Sequence, residues 1–127
     1  MRRSPSGDGL GRRTIRRGDI YLASSRTEEG VRRSHPVLVV QNDVGNRYRE
    51  LTVIAAIRAR ATPSPVPLEA VVEPNASNGL KARSAIRLDH LTTIPIRSLV
   101  QRLGKLDRVT MRYVDQAMRI SLGLARI

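Results

Sequence analysis

The sequence predicts an α+β domain, mainly β, with an antiparallel, barrel-like sheet. Short apolar segments rich in β-branched residues come first along the chain, and segments with helical spacing come last. Short connections between the strand segments favour an antiparallel sheet over parallel strands joined by crossover helices. A length of 127 residues suits one domain, and a hydrophobic fraction of 40% is enough for a core. That core must be aliphatic, because the only aromatic residues are three tyrosines.

Apolar runs and alternating patterns predict five strands. A continuous apolar run indicates a buried strand, and alternation indicates a half-exposed one. The predicted strands are 19–23, 36–41, 51–57, 66–72 and 84–89. Pro67 places the fourth strand at a sheet edge or at a position that makes no ladder hydrogen bond.

Two helices are predicted near the end of the chain. Apolar residues at 96, 99, 100 and 103 follow helical spacing, and Gly104 ends that helix. Asp107 is the predicted N-cap of the second helix. Its apolar face carries Met111, Val114, Met118 and Leu122. The polar segments 24–34, 42–49 and 74–81 are predicted to be loops or turns.

The net charge is +12, of which residues 1–17 contribute +5, so the rest of the chain keeps +7. A positive field of this kind favours polyanions, above all nucleic acid. The alternative is a solvated, arginine-rich surface without a partner.

Residues 1–15 are predicted to be a disordered basic arm, because Ser, Gly and Arg dominate them. A mitochondrial presequence is the alternative, but glycine breaks argue against its amphipathic helix.

Several classes of site are excluded by composition. The chain has no cysteine, which rules out disulfides, thiolate metal sites and a cysteine nucleophile, and fits a reducing compartment. No apolar run approaches the roughly 20 residues of a membrane span. No His, Asp and Glu cluster has metal-ligand spacing, and no glycine-rich phosphate loop occurs. We therefore expect a cytoplasmic protein with no membrane contact and no cofactor.

Four segments, in order, resemble the MazF/PemK (Kid) toxin family. They are RRGDIYLA at 16–23, PVLVVQNDVGNR at 36–47, TVIAAI at 52–57, and the end of the chain from Leu80 through LGKLD at 103–107 to VDQAMRISLGL at 114–124. The resemblance implies a toxin domain over 16–127, folded as a small, partly closed, antiparallel SH3-like barrel with C-terminal helices. It also implies a homodimer that cleaves single-stranded RNA at short sequences without a metal, leaving a 2′,3′-cyclic phosphate. A cognate antitoxin with an acidic C-terminal segment is the implied partner.

The sequence departs from the family at two positions. Most members carry Arg directly before the Pro-Val-Leu-Val strand, where this chain has His35, and Thr after the Ala-Ala-Ile strand, where it has Arg58. A histidine titrates near neutral pH and can give or take a proton, and a guanidinium fork suits phosphoryl oxygens. We predict His35 as the general base or acid and Arg58 as the phosphate clamp. Arg33 is a second clamp, because residues two apart on a strand share a face.

Further residues are predicted to contact RNA by their position in the resemblance or by charge. They are Arg26, Arg32, Ser34, Gln41, Arg60, Asp89 and His90. Ordinary structural roles are the alternatives: surface charge for the arginines, and a polar pair at a strand end for Asp89 and His90.

Two other functions stay open from the sequence. The first is a relative with altered chemistry that holds RNA without cleaving it, or that poisons a protein target such as gyrase, as the CcdB toxins do. The second is a DNA-binding protein whose helix-turn-helix motif is formed by residues 96–122. This function would leave the strands that precede the motif unexplained.

Overall fold

A computed structural model describes residues 14–60 and 66–127. Its main feature is a six-stranded antiparallel sheet in the order β4-β5-β3-β2-β1-β6, so β4 and β6 are its edges and the sheet is not closed. The elements are β1 Asp19–Arg26, β2 Arg32–Val39, α1 Asp43–Tyr48, β3 Leu51–Ala59, β4 Glu69–Val72, β5 Ser84–Pro95, a 3-10 turn Ile96–Ser98, β6 Leu99–Lys105 and α2 Arg108–Ser121. This architecture confirms the predicted fold class.

The strands β1 and β2 form a long hairpin, which corrects the predicted loop over 24–34. Pairing is regular from Ile20 opposite Leu38 to Arg26 opposite Arg32. A tight turn closes the hairpin, where the amide of Thr27 donates to the Val31 carbonyl at 2.8 Å. Backbone hydrogen bonds between the strands can form whatever the side chains are, so this half of the hairpin is built from polar and charged residues and has no apolar pattern in the sequence.

The fourth and fifth strands each differ from their predicted bounds at one end. β5 runs on to Pro95, well past the predicted end at 89, and pairs with β3 along nearly its whole length. β4 is shorter than predicted and begins at Glu69, beyond Pro67. It is an edge strand, which agrees with the position that Pro67 predicts.

Strand residues alternate between two hydrophobic clusters, one on each face of the sheet. The larger cluster lies between the sheet and α2 and includes Leu38, Ile86 and Val114. The smaller cluster lies on the opposite face and includes Val37 and Ile54. We call these two sides the helix face and the open face.

The first predicted C-terminal helix is wrong. Residues 96–98 form a single 3-10 turn, and Leu99–Lys105 is the edge strand β6, paired with β1. The helix-turn-helix alternative falls with it, since only one of its two helices exists.

The second predicted helix is confirmed as α2. Its N-cap is Asp107, whose carboxylate accepts a hydrogen bond from the Thr110 amide at 2.7 Å. Val114 is buried, but Leu122 is exposed, because the helix ends at Ser121. Neither helix in the described ranges has the length and apolar character that crossing a membrane requires.

Outside the strands, the segment 42–49 and the start of the described chain also have defined structure. The predicted turn 42–49 contains the short helix α1, capped by the Asn42 side chain, which accepts from the Gly45 amide at 2.8 Å. The predicted basic arm 1–15 lies outside the described residues except for Thr14 and Ile15. Ile15 is buried in the smaller cluster.

Candidate active site on the open face

His35 and Arg58 lie side by side on the open face. The β2–β3 ladder ends at Val37 opposite Ala56, and His35 and Arg58 each lie two residues beyond that pair on their strands, where the charge of Arg58 acts on His35. His35 shares its face with Val37, and Arg58 shares its face with Ile54, because side chains alternate along a strand. The two predicted catalytic residues are therefore neighbours at one end of the sheet.

The surroundings of His35 favour its neutral form. Partial burial of the ring, followed by the positive charges of Arg58 and of His90, lowers the pKa of His35 below its usual value of 6.5. Desolvation and nearby positive charge both penalise an imidazolium. An imidazole that is neutral at physiological pH can accept a proton.

A bulge in β5 brings Asp89 and His90 to this face. On β3, Ala55 pairs with Leu91 while the next residue, Ala56, pairs with Arg87, so three residues of β5 lie opposite a single step of β3. Leu88 and Leu91 pack toward the helix face. Asp89 and His90 are exposed, and the charge of His90 is felt at His35. Bulges redirect side chains in this way and are common beside active sites.

A network of charged side chains borders the two histidines. Arg87 donates from Nε and Nη2 to the two carboxylate oxygens of Asp89 at 2.9 and 3.0 Å, which lowers the pKa of Asp89. The Nε of Arg87 also lies 3.1 Å from Oε2 of Glu69. Arg60 donates from Nη2 to the same Glu69 oxygen at 2.9 Å. We call Arg60, Glu69, Arg87 and Asp89 the carboxylate–arginine network.

The charges of this network balance, but two of its buried atoms have no hydrogen-bond partner. The side chain of Glu69 is 7% exposed, and its Oε1 is buried without a hydrogen-bond partner, as is Nε of Arg60. Together with Arg33 and Arg58, the site carries four arginines against two carboxylates. The excess of positive charge suits a phosphodiester, and the paired carboxylates keep the arginines in place.

Arg33 joins the site by its face, while three other predicted residues do not. Arg33 lies two residues before His35 on β2 and points to the open face with it. The regular register of the hairpin turns Arg26, Arg32 and Ser34 to the helix face. Arg32 donates there to the Ser24 hydroxyl at 2.9 Å.

Gln41 lies beyond the far end of β2, away from His35. Its side-chain amide donates to Oδ1 of Asn46 at 3.1 Å and to the Leu51 carbonyl at 3.0 Å. Asn46 also accepts from the buried Thr52 hydroxyl at 2.7 Å. This arrangement ties α1 to β3 and gives Gln41 a structural role.

Sequence reasoning missed Glu69 and Arg87 as site residues. Glu69 pairs with Arg87 across β4 and β5, and Arg87 and Asp89 are two residues apart. The spacing of Arg87 and Asp89 was visible in the sequence, but the register that brings Glu69 beside them was not.

The described residues contain no metal-binding group, and they line a cavity that is separate from the histidines. Among residues 14–60 and 66–127, no three His, Asp or Glu side chains are grouped so that they would hold a metal ion. A separate cavity of about 690 Å³ lies between the N-terminal segment and α1, lined by residues such as Arg16, Asp43 and Tyr48. It does not include the histidines.

Comparison with known families decides the affiliation of the chain. The sequence model of the PemK-like, MazF-like toxins of type II toxin-antitoxin systems matches residues 16–122. The chain belongs to the PemK-like, MazF-like toxin family. The resemblance seen in its strands is thereby confirmed.

Solved structures of MazF-like proteins share the fold. An endoribonuclease from a mycobacterial species, solved with its cognate antitoxin, superposes with a TM-score of 0.73 at 22% identity, covering 89% of this chain and 99% of that one. MazF from Deinococcus radiodurans, solved with MazE, gives a TM-score of 0.74 at 17% identity, covering 90% and 100%. The Mycobacterium tuberculosis toxin MazF-mt6 gives 0.66 at 22% identity, covering 83% and 98%.

Proposed function

We propose that this PemK-like, MazF-like toxin is a metal-independent endoribonuclease that cleaves single-stranded RNA at short sequences. Attack of a 2′-hydroxyl on the adjacent phosphorus would leave a 2′,3′-cyclic phosphate and a 5′-hydroxyl. The observation that carries the proposal is the pairing of a neutral-favoured imidazole, His35, with the guanidinium of Arg58 on adjacent strands. Family membership and the similarity to proteins named endoribonucleases support it.

Each of the two residues has a chemical role in this reaction. His35 takes part in proton transfer, which contributes about 10²–10⁴ in rate. Arg58 binds the phosphoryl oxygens and stabilises the charge that builds up on them in the transition state. Arg33, on the same face as His35, adds positive charge on the side of β2.

The partners follow from the same proposal. Single-stranded RNA is the substrate, and Asp89 with its Arg87 partner is a candidate for contacting a base. A second copy of the chain completes a homodimer. An antitoxin with an acidic C-terminal segment is the proposed inhibitor, in keeping with the similar structures solved with antitoxins. The proposed compartment is the cytoplasm.

Purified protein incubated with a long single-stranded RNA in the presence of EDTA tests this function. We expect discrete fragments, and we expect them to vanish with His35→Ala and with Arg58→Ala. Arg112→Ala, an exposed arginine on α2, is the matched control and should cleave as the wild type does. Intact RNA at high protein concentration would contradict the proposal.

A second candidate function is binding without cleavage, either of RNA or of a protein target such as gyrase. The replacement of both usual residues by His35 and Arg58 favours it. The same incubation discriminates, because this function predicts a complex with intact RNA, or inhibition of gyrase, and no fragments.

A further inference from the structure

The chain has two histidines, and the fold brings both to one site. They are 55 residues apart in the sequence, on β2 and β5. Within the described residues, neither imidazole takes part in a hydrogen bond that would give it a structural role. Two free imidazoles beside a guanidinium are the components that an acid–base cleavage of RNA requires.

The bulge explains how His90 reaches the site. With regular pairing, β5 would continue to alternate past Arg87, and one of Asp89 and His90 would point to the helix face. The extra residues let Leu88 and Leu91 both pack on the helix face, while the two residues between them are exposed. The bulge thus presents two polar groups at one level of the sheet.

Arg58 lies on the strand between the two histidines. The sheet order β5-β3-β2 places β3, which carries Arg58, between the strands of His90 and His35. Adjacent strands are about 4.8 Å apart, so the two histidine strands are about 10 Å apart. In-line displacement at phosphorus needs proton transfer on opposite sides, with the phosphoryl oxygens held between them. By strand order His90, Arg58 and His35 follow one another across the face, and His90 lies two to three residues farther along β3 than Arg58, beside Ala55 and Ala56.

We propose that His35 and His90 act as an acid–base pair in RNA cleavage, with His35 as the base and His90 as the acid. This inference rests on the proposed endoribonuclease function. It assigns His90 to proton donation instead of base recognition, and it assigns Arg58 to the phosphoryl oxygens between the two rings.

The reaction balances without any further reactant. The 2′-O–H bond breaks and its proton passes to the neutral imidazole of His35, while the 2′-oxygen forms a bond to phosphorus. The P–O5′ bond breaks, and the departing oxygen takes a proton from the imidazolium of His90. The site then holds a protonated His35 and a neutral His90, and proton exchange with water restores both.

The charges around the pair support this assignment of roles. The charged groups of this face are Arg33 on the strand of His35, Arg58 and Arg60 on or just after the neighbouring β3, and, farther across the sheet on β5 and β4, Arg87, Asp89, His90 and Glu69. Partial burial, followed by the positive charge of Arg58, lowers the pKa of His35, which suits a base. The Asp89 carboxylate lies close enough to His90 for their opposite charges to attract, as the lowered pKa of Asp89 reflects in part.

A leaving group that needs no proton separates the roles of the two histidines. The cleavage site is first mapped on a long RNA, and an oligonucleotide containing it is made with either oxygen or sulfur at the bridging 5′ position. Loss of a thiolate requires no acid. We expect His90→Gln to cleave the oxygen substrate about 10²–10⁴ times more slowly and to recover most of that loss on the sulfur substrate. His35→Gln should be slow on both substrates.

The pH profile gives an independent readout. Wild-type cleavage should follow a bell-shaped curve. His90→Gln should lose the limb that falls toward high pH, and His35→Gln the limb that rises from low pH. Thr93→Ala, an exposed residue on the same strand, should keep the whole curve.

The possible results separate failure of the acid–base pair from failure of the proposed endoribonuclease function. If His90→Gln is equally slow on both substrates, or is as fast as the wild type, the pair is wrong while the endoribonuclease stands. If the wild type cuts no RNA, the acid–base pair and the endoribonuclease function are both wrong. Thermal unfolding confirms that each variant is folded, and His90→Asn serves as a second variant if His90→Gln is not.

Discussion

His35 is partly buried next to Arg58, and this position determines its protonation state in the folded chain. In the unfolded chain the ring titrates near its usual value of 6.5. Between that value and the lower folded pKa, the unfolded chain binds a proton that the folded chain does not. Stability must therefore fall as the pH falls through this range.

This linkage gives a prediction for His35→Gln. The wild type should lose free energy of unfolding between pH 7.5 and pH 5.5, and the variant should lose less, because glutamine does not titrate. Urea unfolding at the two pH values measures the difference. An equal pH dependence for both proteins would show that His35 is not held neutral by its surroundings.

Arg58 differs from His35 because it is exposed and its charge is available to a ligand. Arg58→Ala should reduce the rate of RNA cleavage about 10²–10³-fold, the usual effect of removing one group that stabilises transition-state charge. Arg58→Lys should retain part of the rate, since it keeps the charge but loses the planar fork. Single-turnover cleavage of one defined RNA measures both, and an unchanged rate for Arg58→Ala would exclude it as the phosphate clamp.

At the scale of strands, Glu69 connects β3, β4 and β5 through Arg60 and Arg87. Because its carboxylate is almost fully buried, Glu69→Gln should lower the free energy of unfolding by roughly 1–3 kcal/mol, and the misplaced Arg87 should slow cleavage as well. Glu73→Gln is the matched control. The Glu73–Arg83 pair is largely exposed, and the change should be within about 0.5 kcal/mol.

Equal unfolding curves for Glu69→Gln and Glu73→Gln would show that the carboxylate–arginine network does not stabilise the sheet. A normal cleavage rate for Glu69→Gln would show that Arg87 does not depend on Glu69 for its position.

The strand β6 lies against the turn 74–81 at Gly104. A Cβ built on Gly104 would lie 2.1 Å from the Ser77 carbonyl oxygen and 2.9 Å from the Cα of Asn78. Gly104→Ala should therefore destabilise the fold by about 1–3 kcal/mol, since backbone must move. Val100→Ala, at an exposed position of the same strand, is the control and should change stability little. Thermal unfolding compares the two variants, and equal midpoints would contradict the close contact.

The elements differ in how well the sequence predicts them. The second half of β2 and β3 are apolar and rich in β-branched residues, and α2 carries a cap and an apolar face, so these three were predicted. β6 was not, because its pairing with β1 shifts register twice, between Ile20 and Tyr21 and between Leu22 and Ala23. These irregularities break the two-residue period, and the remaining apolar spacing imitates a helix.

The residues of the candidate site also differ in how well the sequence predicts their positions. Placing His35 beside Arg58 needs only two strands in one register, and the family resemblance supplied it. The arrival of His90 depends on a bulge, and the position of Glu69 depends on the pairing of an edge strand. Neither leaves a local pattern in the sequence.

At the scale of the whole molecule, a strongly basic toxin-family domain places its two histidines and a group of arginines on one face of its sheet. We propose that this face cleaves RNA by attack of the RNA's own 2′-hydroxyl. The chemistry of the substrate tests this claim independently of any variant of the protein.

The most direct measurement replaces a single ribose by 2′-deoxyribose at the mapped cleavage position of an oligonucleotide. We expect wild-type protein to cut the all-ribose strand in EDTA and to leave the singly deoxy-substituted strand intact. Cleavage of both strands at the same rate would mean that the 2′-hydroxyl is not the nucleophile and that the proposed reaction is wrong.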